Sequence, residues 1–311
     1  MYFMPKVFVE KCESYNPLET ERAVRKVLSN IDLKSSVSDK KILLVPNLLF
    51  GAEPEMCITT HPSILEAVIK VLKDYNAKIL VGDSPFSDDP FEAYIIAGFK
   101  DVCERQDVKF VDFGSGKYYN FENGKHLKGI RITAFLDEVD MVINIPKVKC
   151  HQQMYFTGAM KGIFSLVTTY RRGLLHLRSG SDSVLGEAIL DIFNFVKPKL
   201  SIFDGVYGLE GNGPGSGGEP KFAGFISCSQ DAIALDYATM KLVGLNPNKA
   251  SLMKAAKRRG QLDENSVEIL GDVSSIKVKF KEPDMVSVDR MPKFLNKFRE
   301  KLADLDEVVI V

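Results

Sequence analysis

The sequence predicts an α/β fold: a mostly parallel, Rossmann-like sheet with helices on both faces and a β-hairpin insertion. Three observations carry this. Short apolar runs bounded by turn residues recur along the chain (KILLVPN, KILVGDSP, VKFVDFG, DMVINIPKV, KLSIFDG), the pattern of buried strands. Segments with helical spacing separate them, as in HPSILEAVIKVLKDYNA, where Ile64, Val68, Val71 and Leu72 share a face. Strands alternating with helices of this length need crossover connections, hence a parallel sheet.

In chain order, KVFVEKC reads as a strand and Glu19 to Ile31 as a polar helix. KKILLVPN is the first buried strand. Thr60 is placed to cap the next helix and Pro62 to occupy its first turn. KILVGDSP is a strand, Pro90 to Arg105 a helix and VKFVDFG a strand. YYNFENGKHLKGIRIT breaks the alternation, with Asn123-Gly124 between two β-like runs, the sequence of a hairpin turn. DMVINIPKV resumes the sheet, VLGEAILDIFNFV is a helix, and KLSIFDGVYG and FAGFISCS are strands. DAIALDYATMKLVG is a helix capped by Ser229 or Asp231 and stopped by Gly244. A shorter helix runs to Arg259, and VEILGD follows as a short segment. The body is expected to be one unit over 1–311, divisible into lobes of about 1–140 and 141–280, with a C-terminal helix at 291–304.

A chain of 311 residues buries roughly three quarters of its unfolded surface and needs no disulfides. Lys+Arg and Asp+Glu both total 41, so net charge makes no case for nucleic acid or a membrane as partner. Five scattered cysteines without a CxxC point to reduced thiols in a cytoplasm. MYFMPKVFVEK has no apolar h-region and no window approaches a membrane span, which predicts a soluble cytoplasmic protein.

The unusual residues concentrate between Asn144 and His176, which holds two of the four histidines. In an open parallel sheet, ligands lie beyond the carboxyl ends of the strands. Four apolar runs deliver polar residues to that edge: Asn47; Asp83 and Ser84; Lys147, Lys149 and His151; and Asp204. The lysines favour an anionic ligand, a phosphate or carboxylate, although Lys147 and Lys149 read equally well as solvated loop charges. Lys161, in FTGAMKGIF, lies among small and apolar residues where burial lowers a lysine's pKa and makes it a nucleophile or base. His151 and His176 are candidate acid/base groups or metal ligands, with structural hydrogen bonding as the alternative. Thr60 and His61 stand at a helix start, where free N–H groups bind anions or are simply capped.

Familiar motifs are excluded. Gly213 to Gly218 spells GxGxxG, but a strand-like segment follows instead of a helix. Positions 211–218 read as a mobile loop or lid. No zinc spacing and no cysteine run for an iron–sulfur cluster is present.

The ordered series VPN, TTHPSILEAVIKVLKDYNAKILVGDSP, VDMVINIPKVKCH, FTGAMKGIF, FDGVYGLEGNGPGSGG and SQDAIALDYATMKLVG resembles the family of domain of unknown function 362. Many of its members carry a ferredoxin module and are labelled iron–sulfur proteins. This chain has no such cysteine run, so the resemblance implies no cluster of its own but admits a separate ferredoxin partner. The order His151, Lys161, His176 is similar to the core of lactate racemase-type nickel-pincer enzymes. That similarity implies Lys161 as tether of a nickel-pincer nucleotide, His176 as metal ligand and His151 as acid/base, with His61 where an arginine is usual. Three readings follow: an enzyme transferring a proton or hydride on a small anionic metabolite, a redox-associated protein docking an iron–sulfur partner, or a non-catalytic ligand-binding module. Homo-oligomerisation, including through the hairpin, is open in each.

Overall fold

The computed structural model describes residues 4–86 and 89–286. Its strands are β1 (Lys6–Lys11), β2 (Lys41–Pro46), β3 (Lys78–Asp83), β4 (Lys109–Asp112), β5 (Gly116–Asn120), β6 (Gly129–Thr133), β7 (Met141–Ile145), β8 (Lys147–His151), β9 (Tyr155–Thr157), β10 (Leu200–Gly211), β11 (Gly218–Ser229) and β12 (Glu268–Gly271). The main sheet runs β12-β1-β11-β10-β7-β2-β3-β4, while β5 and β6 form a separate hairpin. From β10 to β4 every neighbour is parallel; β11 is antiparallel to both β10 and β1. The class is α/β with a mostly parallel sheet.

Alternate residues of a strand face opposite sides, and a strand covered on both faces is apolar throughout. β2 shows both rules. Ile42 and Leu44 join the core beneath the Pro17–Leu28, Pro62–Lys73 and Phe99–Arg105 helices. Leu43 and Val45 join the opposite core, with the Asp182–Val196, Ala232–Leu242 and Ser251–Arg258 helices. Strand order leaves β2 toward β3 and β4 on one side, and β7 toward β10 on the other. The boundary between β2 and β7 is thus a topological switch point, where the adjoining loops diverge and open a crevice.

Several expectations need correction. The helix expected over Pro90 to Arg105 is two helices, Pro90–Ile96 and Phe99–Arg105, because Gly98 takes φ +72° between them. His61, not Thr60, caps the Pro62–Lys73 helix: its Nδ1 accepts from the Ser63 N–H at 3.2 Å. Asn123-Gly124 is not a two-residue turn, since pairing ends at Asn120 and Gly129. The intervening loop is held by the Asp191 carboxylate, which accepts from the N–H groups of Lys125, His126 and Leu127. β10 does not end at Asp204 but continues to Gly211. The glycine-rich 211–218 stretch is then the bend of a long β10–β11 hairpin, pinned where the Gln152 N–H donates to the Gly213 carbonyl at 3.0 Å. The 291–304 helix lies outside the described residues.

All five cysteines are free and buried. Among the described residues no helix is long and apolar enough to cross a membrane. The Ala232–Leu242 helix is capped by Asp231, whose side chain accepts from Ala234 N–H at 2.9 Å. Asp231→Ala is expected to cost about 1 kcal/mol in a urea-denaturation measurement. An unchanged midpoint would show that packing alone holds this helix.

Candidate functional site

A cavity of about 40 Å³ opens at the switch point, and its wall includes Asn47 beyond β2, Asp83 at the end of β3, Lys149 of β8, Lys161, Arg172 and His176. Three segments deliver the basic groups. β8 follows β7 after Pro146 alone; Lys161 sits in the one-turn Ala159–Gly162 helix, and Arg172 and His176 lie on the Thr169–Arg178 helix. A spacing of four residues puts those two on one helical face.

The Lys161 turn is clamped at its start by two buried side chains. The buried Asp236 carboxylate accepts from the Ala159 N–H at 2.5 Å and the Met160 N–H at 3.0 Å. Asn144, a polar residue inside apolar β7, donates from Nδ2 to the Ala159 carbonyl at 2.8 Å. The flanking glycines make these approaches feasible. A Cβ on Gly158 would lie 2.2 Å from Asp236 Oδ1, and one on Gly162 would lie 2.9 Å from Asn144 Oδ1.

Burial and mutual repulsion set the electrostatics. Burial, then the neighbouring Arg172, lowers Lys161 to about 7. Lys149, fully buried with Nζ donating to the Ile58 carbonyl at 2.7 Å, is held well below the usual lysine range by burial and then by Lys161 and Lys147. Burial lowers Arg172 to about 10 against the pull of Asp83. Its guanidinium lies 4.4 Å from the Phe86 ring centre and donates to the Ser84 carbonyl. Burial raises Asp83 to about 7, opposed by Arg172 and by hydrogen bonds from the N–H groups of Leu48 and Ser84.

His176 is lowered to about 3 by burial, Lys161 and Arg172, so its imidazole is neutral. Its Nδ1 is 2.9 Å from Gln153 Oε1; with that oxygen as acceptor, Nδ1 carries the hydrogen and Nε2 keeps a lone pair. His151 is also held well below its usual range by burial and then by Lys161. Its Nδ1 accepts from the Gln153 and Met154 N–H groups at 3.1 and 3.2 Å, which puts its hydrogen on Nε2. It buttresses the turn before β9 and is not part of the cavity wall. Asn47 Oδ1, Thr157 Oγ1 and Ser165 Oγ belong to wall residues and are buried without a hydrogen-bond partner.

The other candidates gather elsewhere. Lys147 Nζ donates to Asp204 Oδ2 at 3.0 Å and to the Tyr15 hydroxyl at 2.6 Å. Asp204 also accepts from the His61 N–H at 2.8 Å, and the His61 ring stacks on Tyr15 with centroids 3.6 Å apart. Lys147 and Lys149 separate because the β8–β10 register is irregular: Lys147 faces Asp204, whereas Lys149 faces Leu209. Thr60 Oγ1 donates to the Ile145 carbonyl at 2.6 Å and accepts from the Asn47 N–H at 2.9 Å, tying two loops together. The Ser84 hydroxyl pairs with Thr169 Oγ1 at 2.6 Å. The cavity therefore unites Asn47, Asp83, Lys149, Lys161 and His176, but not His151, Lys147, Asp204, Thr60, His61 or Ser84. Sequence reasoning passed over Arg172, although its place one helical turn before His176 was a usable signal. Among the described residues, no group of three His, Cys, Asp or Glu side chains is placed to hold a metal ion.

Comparison with known proteins gives three matches. The family described as Domain of unknown function (DUF362) matches residues 42–241, a span that begins in β2 and contains the whole cavity wall. Thylakoid-associated protein sll1697 of Synechocystis sp. is 30% identical over 221 residues, covering 71% of this chain and 68% of that protein. Among solved structures, the lactate racemase apoprotein from Thermoanaerobacterium thermosaccharolyticum aligns with a TM-score of 0.45 at 13% identity. That alignment covers 78% of this chain and 57% of the racemase chain.

Proposed function

This chain belongs to the Domain of unknown function (DUF362) family, and from that premise we propose a cytoplasmic enzyme that transfers protons on a small anionic metabolite, a carboxylate or phosphate. The observation that carries this reading is the convergence of Lys149, Lys161 and Arg172 on one cavity where, among the described residues, Asp83 is the one carboxylate on the wall. Basic groups crowded in a low dielectric depress one another's protonation, and an anion between them offsets that repulsion. Arg172 brings a planar fork suited to carboxylate or phosphate oxygens. Lys161 and Asp83, both shifted to about 7, can each give a proton to a ligand or take one from it near neutral pH. His176 supplies a neutral imidazole that accepts at Nε2.

A nickel-pincer nucleotide, implied by the sequence resemblance, does not fit these residues as they stand. A nucleotide-sized ligand needs a pocket of roughly 300 Å³ or more, against about 40 Å³ here, and among the described residues His176 alone brings an imidazole to the wall. The chemistry proposed is that of the chain's own side chains.

Calorimetric titration with oxalate and inorganic phosphate tests the reading. Arg172→Met and Lys149→Met are each expected to weaken binding about tenfold or more, the worth of one charged hydrogen bond. Affinity in both variants equal to that of the unmodified protein, or no binding by the unmodified protein, would sink the proposal. Affinity should also depend on pH. Lys161 is cationic below about 7 and neutral above it, so oxalate affinity falls as pH rises through that value. A flat profile would remove Lys161 from the anion site.

A further inference from the structure

We propose that Lys161 forms a Schiff base with a small 2-oxo acid bound in this cavity, an inference that rests on the anion-binding reading above. Three lysines lie between β7 and the Thr169–Arg178 helix, and two are already committed. Lys147 is bound to Asp204 and Tyr15, and Lys149 to the Ile58 carbonyl. Lys161 Nζ has no hydrogen-bond or ion-pair partner among the described residues and only approaches the Phe164 ring face, 5.8 Å from its centre. Its turn is also fixed at its start, where Asp236 accepts from the Ala159 and Met160 N–H groups and Asn144 donates to the Ala159 carbonyl. An unpaired amine on a fixed backbone, facing a cavity with separate cations, has the geometry of a positioned nucleophile.

The remaining wall residues match the substrate class. Arg172 supplies the cation for the carboxylate and Lys149 Nζ a further N–H donor beside it, which leaves Lys161 for the adjacent carbonyl carbon. Thr157 and Ser165 offer hydroxyls without protein partners, able to donate to the carbonyl oxygen as it gains charge. The cavity, about 40 Å³, has room for the equivalent of roughly three waters, which limits the acid to a few carbons. Burial lowers the amine to about 7, so an appreciable fraction is nucleophilic at neutral pH.

The step balances without an added oxidant or reductant. The Nζ lone pair attacks the carbonyl carbon, a C–N bond forms and the oxygen becomes the hydroxyl of a carbinolamine. The carbon–oxygen bond then breaks. The two amine hydrogens leave with that oxygen as water, relayed by the Asp83 carboxyl and His176 Nε2, and a C=N bond remains.

Borohydride trapping tests this on the full chain. Protein incubated with pyruvate and sodium borohydride is analysed by intact mass and peptide mapping, alongside Lys161→Arg, which keeps the charge. Expected are one reduced adduct on Lys161, none in Lys161→Arg, and protection by oxalate, which binds but has no ketone. Trapping should accelerate as pH rises through about 7, opposite to the trend for oxalate affinity. Calorimetric binding of pyruvate without an adduct, or labelling that persists in Lys161→Arg, overturns the Schiff base and leaves the anion site standing. Failure of both pyruvate and oxalate to bind overturns the two together.

Discussion

Gly158→Ala is expected to destabilise the protein by about 2–3 kcal/mol and to weaken oxalate binding by roughly an order of magnitude. The cause is space, not backbone conformation. Gly158 has φ −112° and ψ −162°, which any residue adopts. The new Cβ would lie 2.2 Å from Asp236 Oδ1 and 2.3 Å from its carboxyl carbon. Asp236 is buried and pinned, so moving it gives up the hydrogen bonds from Ala159 and Met160 that hold the Lys161 turn. Overpacking and unpaired buried N–H groups then act together. The diagnostic comparison is a double variant. In an Asp236→Ala background the clashing carboxylate is gone, and Gly158→Ala should cost much less. Urea denaturation of the four proteins completes the cycle. Additive costs would show that Gly158 is small for a reason unrelated to Asp236.

The sheet was legible because its rules are local. Largely apolar runs ending in polar residues marked β2, β3 and β7, and the convergence of Asn47, Asp83 and Lys149 beyond their ends follows from adjacency in a parallel sheet. Lys161 stood out as a lysine between glycines in an apolar stretch. What remained hidden depended on register or on tertiary partners. Nothing in KVKCH separates Lys147 from Lys149; the irregular β8–β10 pairing sends one to Asp204 and leaves the other on the cavity wall. Asp204 resembled a strand end because a glycine follows it, yet β10 runs on to Gly211. Asn144 and Asp236 are polar residues inside apolar elements, a signal that a buried partner exists but not which one. Both partners proved to be backbone groups of the Lys161 turn.

Lys147→Met is the second large effect expected, a loss of about 3–5 kcal/mol. Lys147 and Asp204 are both fully buried, with Nζ and Oδ2 3.0 Å apart. Methionine keeps most of the apolar stem but removes the ammonium. The Asp204 carboxyl is then left in the interior with, among the described residues, the Tyr15 hydroxyl at 2.9 Å and the His61 N–H at 2.8 Å as its remaining donors. Breaking a buried pair from one side strands a charge, whereas removing both charges does not. The double variant Lys147→Met/Asp204→Asn retains an acceptor for the His61 N–H and should recover more than half of the loss. If the double variant were no more stable than the single one, the destabilisation would come from lost packing around Tyr15 and not from an unpaired carboxylate. Oxalate affinity separates this cluster from the cavity. Lys147 does not line the wall, so folded Lys147→Met should bind oxalate nearly as the parent does, while Lys149→Met should not. Parallel losses in the two lysine variants would mean that the clusters share one ligand.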